Sequence, residues 1–219
     1  MEILSWTTKI KAIGFDLDGT LYQNPPDMTN WLAKELVKKV ATHLGKQYDE
    51  VEEEYLARRE KYRGNTLTLN SFGLDGEQVF QQLFDEVPME KYIQREAELT
   101  RLMARLQKRF KLFVISNGTR RQIVKKMKYM GLSTKLFKPL IACYDHEGWM
   151  KPQPAAFLSA LEELELSPEE VVYVGDRRST DIEGAQGVGM KAILIGGESE
   201  EADAVIESVY EIEPLLVRE

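Results

Sequence analysis

IKAIGFDLDGTLY, residues 10–22, is a short apolar run that stops at two aspartates and a glycine turn. A compact run of Ile, Ala and Phe without polar alternation is what a strand buried on both faces requires. Working outward, the same form recurs: LFVI at 112–115 runs into SNG, LIAC at 140–143 is a weaker copy, VVYV at 171–174 runs into GD, and AILI at 192–195 runs into GG. Helical patterns fall between these runs. Residues 120–130 end at Gly131, residues 154–164 place Phe157, Leu158, Leu161 and Leu164 at helical spacing, Ser167-Pro168-Glu169-Glu170 reads as an N-cap with an acidic first turn, and residues 180–187 form a short helix. Alternating strands and helices predict an α/β fold, a doubly wound parallel sheet with helices on both faces.

One stretch breaks the alternation. Residues 22–107 show helical periodicity and no convincing strand. Asp27 or Thr29 can cap a helix carrying Leu32, Leu36, Val40 and Leu44, which Gly45 stops; residues 49–62 begin with a run of acids; residues 76–87 and 89–107 complete the set. Asn24-Pro25-Pro26 reads as a stiff entry to this block and residues 108–111 as its exit. The tail, residues 198–219, is rich in acids but keeps Val205, Ile206, Val209, Tyr210, Leu215 and Leu216, so it is expected to pack.

Composition narrows the function. The chain has 219 residues, 43% hydrophobic and 30% charged, with a formal net charge of −7, which disfavours coating a polyanion or an anionic membrane. Cys143 is the only cysteine, so no intrachain disulfide is possible, and the two histidines, His43 and His146, stand far apart and make a poor zinc site. Residues 1–10, with Glu2, Trp6 and Lys9, lack a signal-peptide pattern, and no apolar run approaches the length of a membrane span. A cytoplasmic location is the expectation.

The strand ends carry the chemistry. Asp16 and Asp18 follow the first run, Ser116 the second, Asp176 the fourth with Asp181 five residues on, and Lys151 lies in a loop after the weaker run. Ligands of parallel α/β sheets gather beyond the carboxyl ends of the strands, so these residues are expected to meet in one crevice. Where strand geometry persists, a period of two turns Asp16 and Asp18 to the same side. Converging carboxylates repel, and a bound dication removes that conflict; with oxygen donors and no His or Cys nearby, Mg²⁺ is the natural candidate. Each residue also has a plainer reading. Asp16 and Asp18 can be turn or capping residues, Ser116 and Asn117 a helix cap, Asp176 turn chemistry, and Lys151 a solvated lysine.

Taken together, these strings resemble the four motifs of the haloacid dehalogenase (HAD) superfamily: FDLDGTLY at 15–22 the first, ISNG at 115–118 the second, Lys151 in MKPQP the third, and VGDRRSTD at 174–181 the fourth, in the family's order. The 100 residues between Asp16 and Ser116 resemble the subgroup with a helical cap after the first motif, and the 35 between Ser116 and Lys151 leave no room for a second-site cap. The resemblance implies a Rossmann-like core from residues 1–21 and 109–219 and an all-helical cap over 22–108. It implies that Asp16 is a nucleophile forming an aspartyl-phosphate and Asp18 the acid and base. Ser116 and Lys151 would hold the phosphoryl group, with Thr20 and Asn117 supporting the pocket. Asp16, Asp18 (through its carbonyl), Asp176 and Asp181 would surround Mg²⁺.

The function so implied is a Mg²⁺-dependent phosphomonoesterase on a small phosphorylated metabolite, such as a nucleoside monophosphate or phosphoglycolate. The alternatives are a phosphotransferase or phosphomutase, a 2-haloacid dehalogenase, and a non-catalytic binding protein. Asp18 argues against the dehalogenase, because halide leaves without a proton and an alkoxide does not. The cap is expected to close over the strand ends. Its basic stretch, residues 58–63, can grip a distal anionic group of the substrate or be a solvated helix face, and residues 62–66 are loosely similar to a segment of pyrimidine 5′-nucleotidase-like members. Cys143 reads as a small buried side chain, and Trp31 and Phe80 as core.

Overall fold

The computed structural model describes residues 4–23, 25–62 and 64–217. Glu2 of the N-terminal segment, Asn24 of the linker and Arg63 of the basic stretch lie outside the described residues. Six strands form one parallel sheet: β1 (Ala12–Phe15), β2 (Lys111–Ser116), β3 (Phe137–Ala142), β4 (Val171–Gly175), β5 (Lys191–Ile195) and β6 (Ala204–Ile206), in the order β3-β2-β1-β4-β5-β6. The first five stand where the apolar runs place them. Every residue of β1 and β4 is buried, which requires cover on both faces and explains the absence of alternation. At one margin, the register of β3 on β2 skips between Leu112↔Phe137 and Val114↔Leu140, where Pro139 has no N–H to give. The other margin, β6, has three residues.

The chain divides into two compact units, Asn24–Tyr92 and the remainder. The smaller unit is helical: α1 (Pro26–Leu44), α2 (Asp49–Tyr62), α3 (Asn65–Asn70), α4 (Gly76–Glu86) and α5 (Met89–Tyr92). Its core joins Leu36, Val37 and Val40 of α1 to Val51 and Tyr55 of α2, Leu69 of α3 and Leu83 of α4, with Trp31 and Phe80 packed partly buried against it. Gly45 ends α1 in the left-handed conformation, with φ of 66°.

In the larger unit follow α6 (Ala97–Leu106), α7 (Arg120–Met130), α8 (Pro154–Leu164), α9 (Glu183–Gly187) and α10 (Ile212–Leu216). Residues 89–107, expected as one helix, are two, parted at 93–96, and α6 belongs to the larger unit: Arg105 donates from Nε to both carboxylate oxygens of Glu213 in α10, at 2.9 and 3.0 Å. The division falls after Tyr92, where Ile93 is buried, and no glycine or proline marks it. Thr119 and Gln122 form a reciprocal capping box at the start of α7. On one face of the sheet, Ala156, Phe157, Ala160, Leu161 and Leu164 of α8 pack on Phe113, Ile115, Tyr173 and Ala192. Ser167 begins a single 3₁₀ turn, Pro168–Glu170, rather than a helix, because the carbonyl of Glu170 is taken by the N–H of Lys11 at the entry to β1.

Candidate active site

β1 and β4 are neighbours in register, and the strand order reverses between them, which makes their carboxyl ends the place where ligands of such sheets bind. Asp16 is the first residue past β1, and its N–H donates to the carbonyl of Val174 at 2.9 Å, which ties the loop to β4. β1 stops at Phe15, and the chain bends at Leu17 toward Gly19, whose φ is 86°. The strand geometry on which the period of two depends therefore ends before Asp18, and the two carboxylates take different hydrogen-bond partners.

Asp16 turns to Lys151. The buried Lys151 ammonium donates to Asp16 Oδ1 at 2.7 Å, to Asp181 Oδ1 at 2.6 Å and to the Tyr173 hydroxyl at 3.0 Å. Tyr173 in turn donates to the carbonyl of Ile115 at 2.7 Å, so the ammonium is braced from β4 and β2 together. Asn117 holds the backbone of Lys151 from both sides: Oδ1 accepts its N–H at 2.8 Å, and Nδ2 donates to its carbonyl at 3.4 Å. Ser116 is buried at the end of β2, and its Oγ accepts the N–H of Gly118 at 3.3 Å. Thr20 is buried with its hydroxyl unpartnered among the described residues.

Asp18 turns to a residue that the motifs did not single out. Lys126 of α7 donates to both carboxylate oxygens of Asp18 at 2.5 Å, and the Tyr22 hydroxyl donates to Asp18 Oδ1 as well. The sequence carried one mark of Lys126: it falls with Ile123, Met127 and Met130 on the buried stripe of α7, where a charge has no packing purpose. Tyr173 carried none, since a tyrosine inside VVYV reads as an ordinary core residue.

Charge and burial set the protonation tendencies. Burial pushes the Asp16 carboxyl up to about 6, helped by repulsion from Asp181 and Asp18 and opposed by the Lys151 ammonium. Burial raises Asp176 too, with Asp181 adding to it. For Lys151, burial disfavours the ammonium, but Asp16, Tyr173 and Asp181 outweigh it and hold the group well above its ordinary range. For Asp18, burial works against ionisation, and the Lys126 charge with the hydrogen bonds from Lys126 and Tyr22 brings the carboxyl below its usual value.

Asp16, Asp176 and Asp181 each offer an oxygen within 4.8 Å of the others. Asp176 Oδ1 is buried without a hydrogen-bond partner among the described residues. A side chain at Gly19 would strike the Asp176 carboxylate, and one at Gly175 would strike Asp181, so glycine at both places lets the backbone close around the acids. Two buried carboxylates and the half-buried Asp176 against one ammonium leave negative charge to be met, and an all-oxygen donor set with an orphaned oxygen fits a hard divalent cation such as Mg²⁺. The Asp18 carboxylate is not in this group.

In the helical unit, Arg58 donates to the carbonyl of Ser71, pairs with Glu54 and lies over the Phe72 ring at 4.0 Å, while Arg59 donates to Asn65 Oδ1 at 2.7 Å. These two arginines are engaged within their own unit. His146 is exposed and stacks on Trp149 at 4.3 Å, and burial pushes the Cys143 thiol up to about 11.

The chain is similar to known proteins over most of its length. Residues 10–189 match the family described as haloacid dehalogenase-like hydrolase. The chain is similar to a glyceraldehyde 3-phosphate phosphatase of Methanothermobacter thermautotrophicus, 30% identical with 89% of each chain covered, and to a phosphoglycolate phosphatase of Aquifex aeolicus, 30% identical with 84% of each covered. The crystal structure of a HAD phosphatase from Thermococcus onnurineus superposes with a TM-score of 0.72 at 28% identity, over 95% of this chain and 98% of the other. A parallel sheet with Asp16, Lys151, Asp176 and Asp181 together at its switch point is a Rossmann-like α/β fold. The chain belongs to the haloacid dehalogenase-like hydrolases. Among the described residues, no helix is long and apolar enough to cross a membrane.

Proposed function

We propose that this protein is a Mg²⁺-dependent phosphomonoesterase that works through an aspartyl-phosphate on Asp16. The observation that carries the reading is the separation of the two aspartates: Asp16 lies with Lys151 and the acidic cluster, and Asp18 stands apart, held by Lys126. Lys151 favours the ionised Asp16 that attack requires, and a proton-transfer group has to be a different carboxyl from the one that attacks.

Asp16, Asp176 and Asp181, with the backbone carbonyl of Asp18, would hold the ion, which when bound supplies positive charge to the carboxylates and to the phosphoryl oxygens. A carboxylate oxygen of Asp16 attacks phosphorus; the bond to the ester oxygen breaks, and Asp18 gives that oxygen its proton. Water then attacks the aspartyl-phosphate, Asp18 takes its proton back, and inorganic phosphate leaves with Asp16 regenerated. Lys151 and Ser116 bind the phosphoryl oxygens through charge that grows in the transition state, and Asn117 keeps Lys151 in place. A dehalogenase has no use for Asp18, because halide needs no proton. A phosphotransferase would use the same aspartyl-phosphate, and release of free phosphate separates the two.

The names of the relatives support a small phosphorylated metabolite as substrate, since glyceraldehyde 3-phosphate and phosphoglycolate are both short anionic esters. The helical unit Asn24–Tyr92 takes the part of a cap that selects the leaving group, because the phosphate-handling residues all come from the other unit. The test is phosphate release from a panel of phosphomonoesters with and without Mg²⁺, beside Asp16→Asn. Release that needs Mg²⁺ and is lost in Asp16→Asn is expected; equal rates for parent and variant would sink the reading.

A further inference from the structure

We propose that Lys126 is a positioning residue for proton transfer: together with Tyr22 it grips the Asp18 carboxylate and keeps it out of the acidic cluster, aimed for exchange with the leaving oxygen. The inference rests on the phosphatase reading of the same site. Lys126 is 3% exposed in the middle of α7, on the stripe that Ile123, Met127 and Met130 bury against the core. An apolar side chain there would serve packing as well or better, because exchanging a buried ion pair for well-packed hydrophobic residues is often neutral or stabilising. Stability therefore does not account for the lysine. Its geometry does: the ammonium reaches both oxygens of Asp18 at 2.5 Å, and the Tyr22 hydroxyl donates to Oδ1 from a second point, so the two donors together hold the carboxylate where either alone would leave it free to turn.

The competing position for that carboxylate is close at hand. Asp18 lies two residues from Asp16, and Asp16, Asp176 and Asp181 already place three oxygens within 4.8 Å of one another. A fourth carboxylate released into that space would be drawn to any cation held there and lost to proton transfer. Two lysines thus divide the aspartates of one loop: Lys151 engages Asp16, and Lys126 engages Asp18.

The test compares two esters on one preparation, so that a partly folded sample scales both alike. 4-Nitrophenyl phosphate has a leaving group that departs without a proton; a primary alkyl phosphate does not. With kcat/KM reporting the phosphoryl-transfer step, Lys126→Met is expected to lose about 100-fold on the alkyl ester and no more than about 3-fold on the nitrophenyl ester, and Lys126→Arg to recover at least about 10-fold of the loss. Equal losses on both esters, or none on either, overturn the role of Lys126. Should Lys126→Met not fold, Tyr22→Phe decides by the same ratio: a preferential loss on the alkyl ester supports the grip, and an unchanged ratio overturns it. A parent protein that hydrolyses neither ester overturns the phosphatase reading, and the role of Lys126 falls with it.

Discussion

The two units of this chain spend their interiors differently. In the larger one, Asp16, Lys126, Lys151 and Asp181 are all buried, and all take part in ion pairs. In the helical unit, Thr68 is the one buried residue of the polar and charged kinds among those described, and its hydroxyl donates locally to the carbonyl of Gly64 at 2.8 Å. Burying charge carries a desolvation cost that pairing only partly offsets, so evolution does not place four such groups together for stability. The helical unit has an apolar core of leucine, valine and tyrosine, in which the Tyr55 hydroxyl is buried without a partner among the described residues. The difference separates a unit that buries paired charges from one that, among the described residues, buries none.

Three substitutions sharpen that contrast. The largest stability effect is expected at Lys151→Met, which removes the ammonium between Asp16 and Asp181 and leaves two buried carboxylates facing each other. Urea unfolding without divalent metal should show a loss of about 3–5 kcal/mol, and millimolar Mg²⁺ should restore part of it by neutralising the same acids. A variant as stable as the parent would mean that the cluster is not the strained, charge-dense site inferred here. Next comes Leu83→Ala in the core of the helical unit, where the side chain is fully buried. A cavity there should cost about 2–5 kcal/mol, and added Mg²⁺ should recover none of it. Recovery by Mg²⁺ would place a metal-sensitive element in the wrong unit. The smallest effect belongs to Glu86→Gln, which breaks the exposed pair of Glu86 with Lys39 at 3.4 Å. Less than about 1 kcal/mol is expected, fading with salt, and a larger loss would contradict the view that charge in this unit is surface decoration.

Much of this was legible in the sequence, for physical reasons that also mark where legibility ended. Strands buried on both faces must be continuously apolar, so IKAIGF, LFVI, VVYV and AILI announced themselves, and the residues that end them marked the candidate site. β6 did not, because Ala204–Ile206 is three residues in an acid-rich tail and owes its form to pairing with β5. The break at 93–96 has no glycine or proline and reflects a change of packing partners between units. Asp16, Asp176, Asp181 and Lys151 could be gathered by topology, since parallel strands bring their ends together whatever their distance along the chain. The parting of Asp16 from Asp18 could not, because it depends on a bend at Leu17 and on a lysine contributed by α7 from more than a hundred residues away.

The margins of the sheet have a consequence of their own. An open sheet is exposed to growth by addition of a foreign strand, and long, flat outer strands invite it. Here one outer strand carries the exposed Lys138 beside Pro139, and the other ends after three residues. Neither presents the unbroken ladder of amides and carbonyls on which a second molecule could template itself. A short strand at one margin and a proline at the other are features that disfavour growth of the sheet by strand addition.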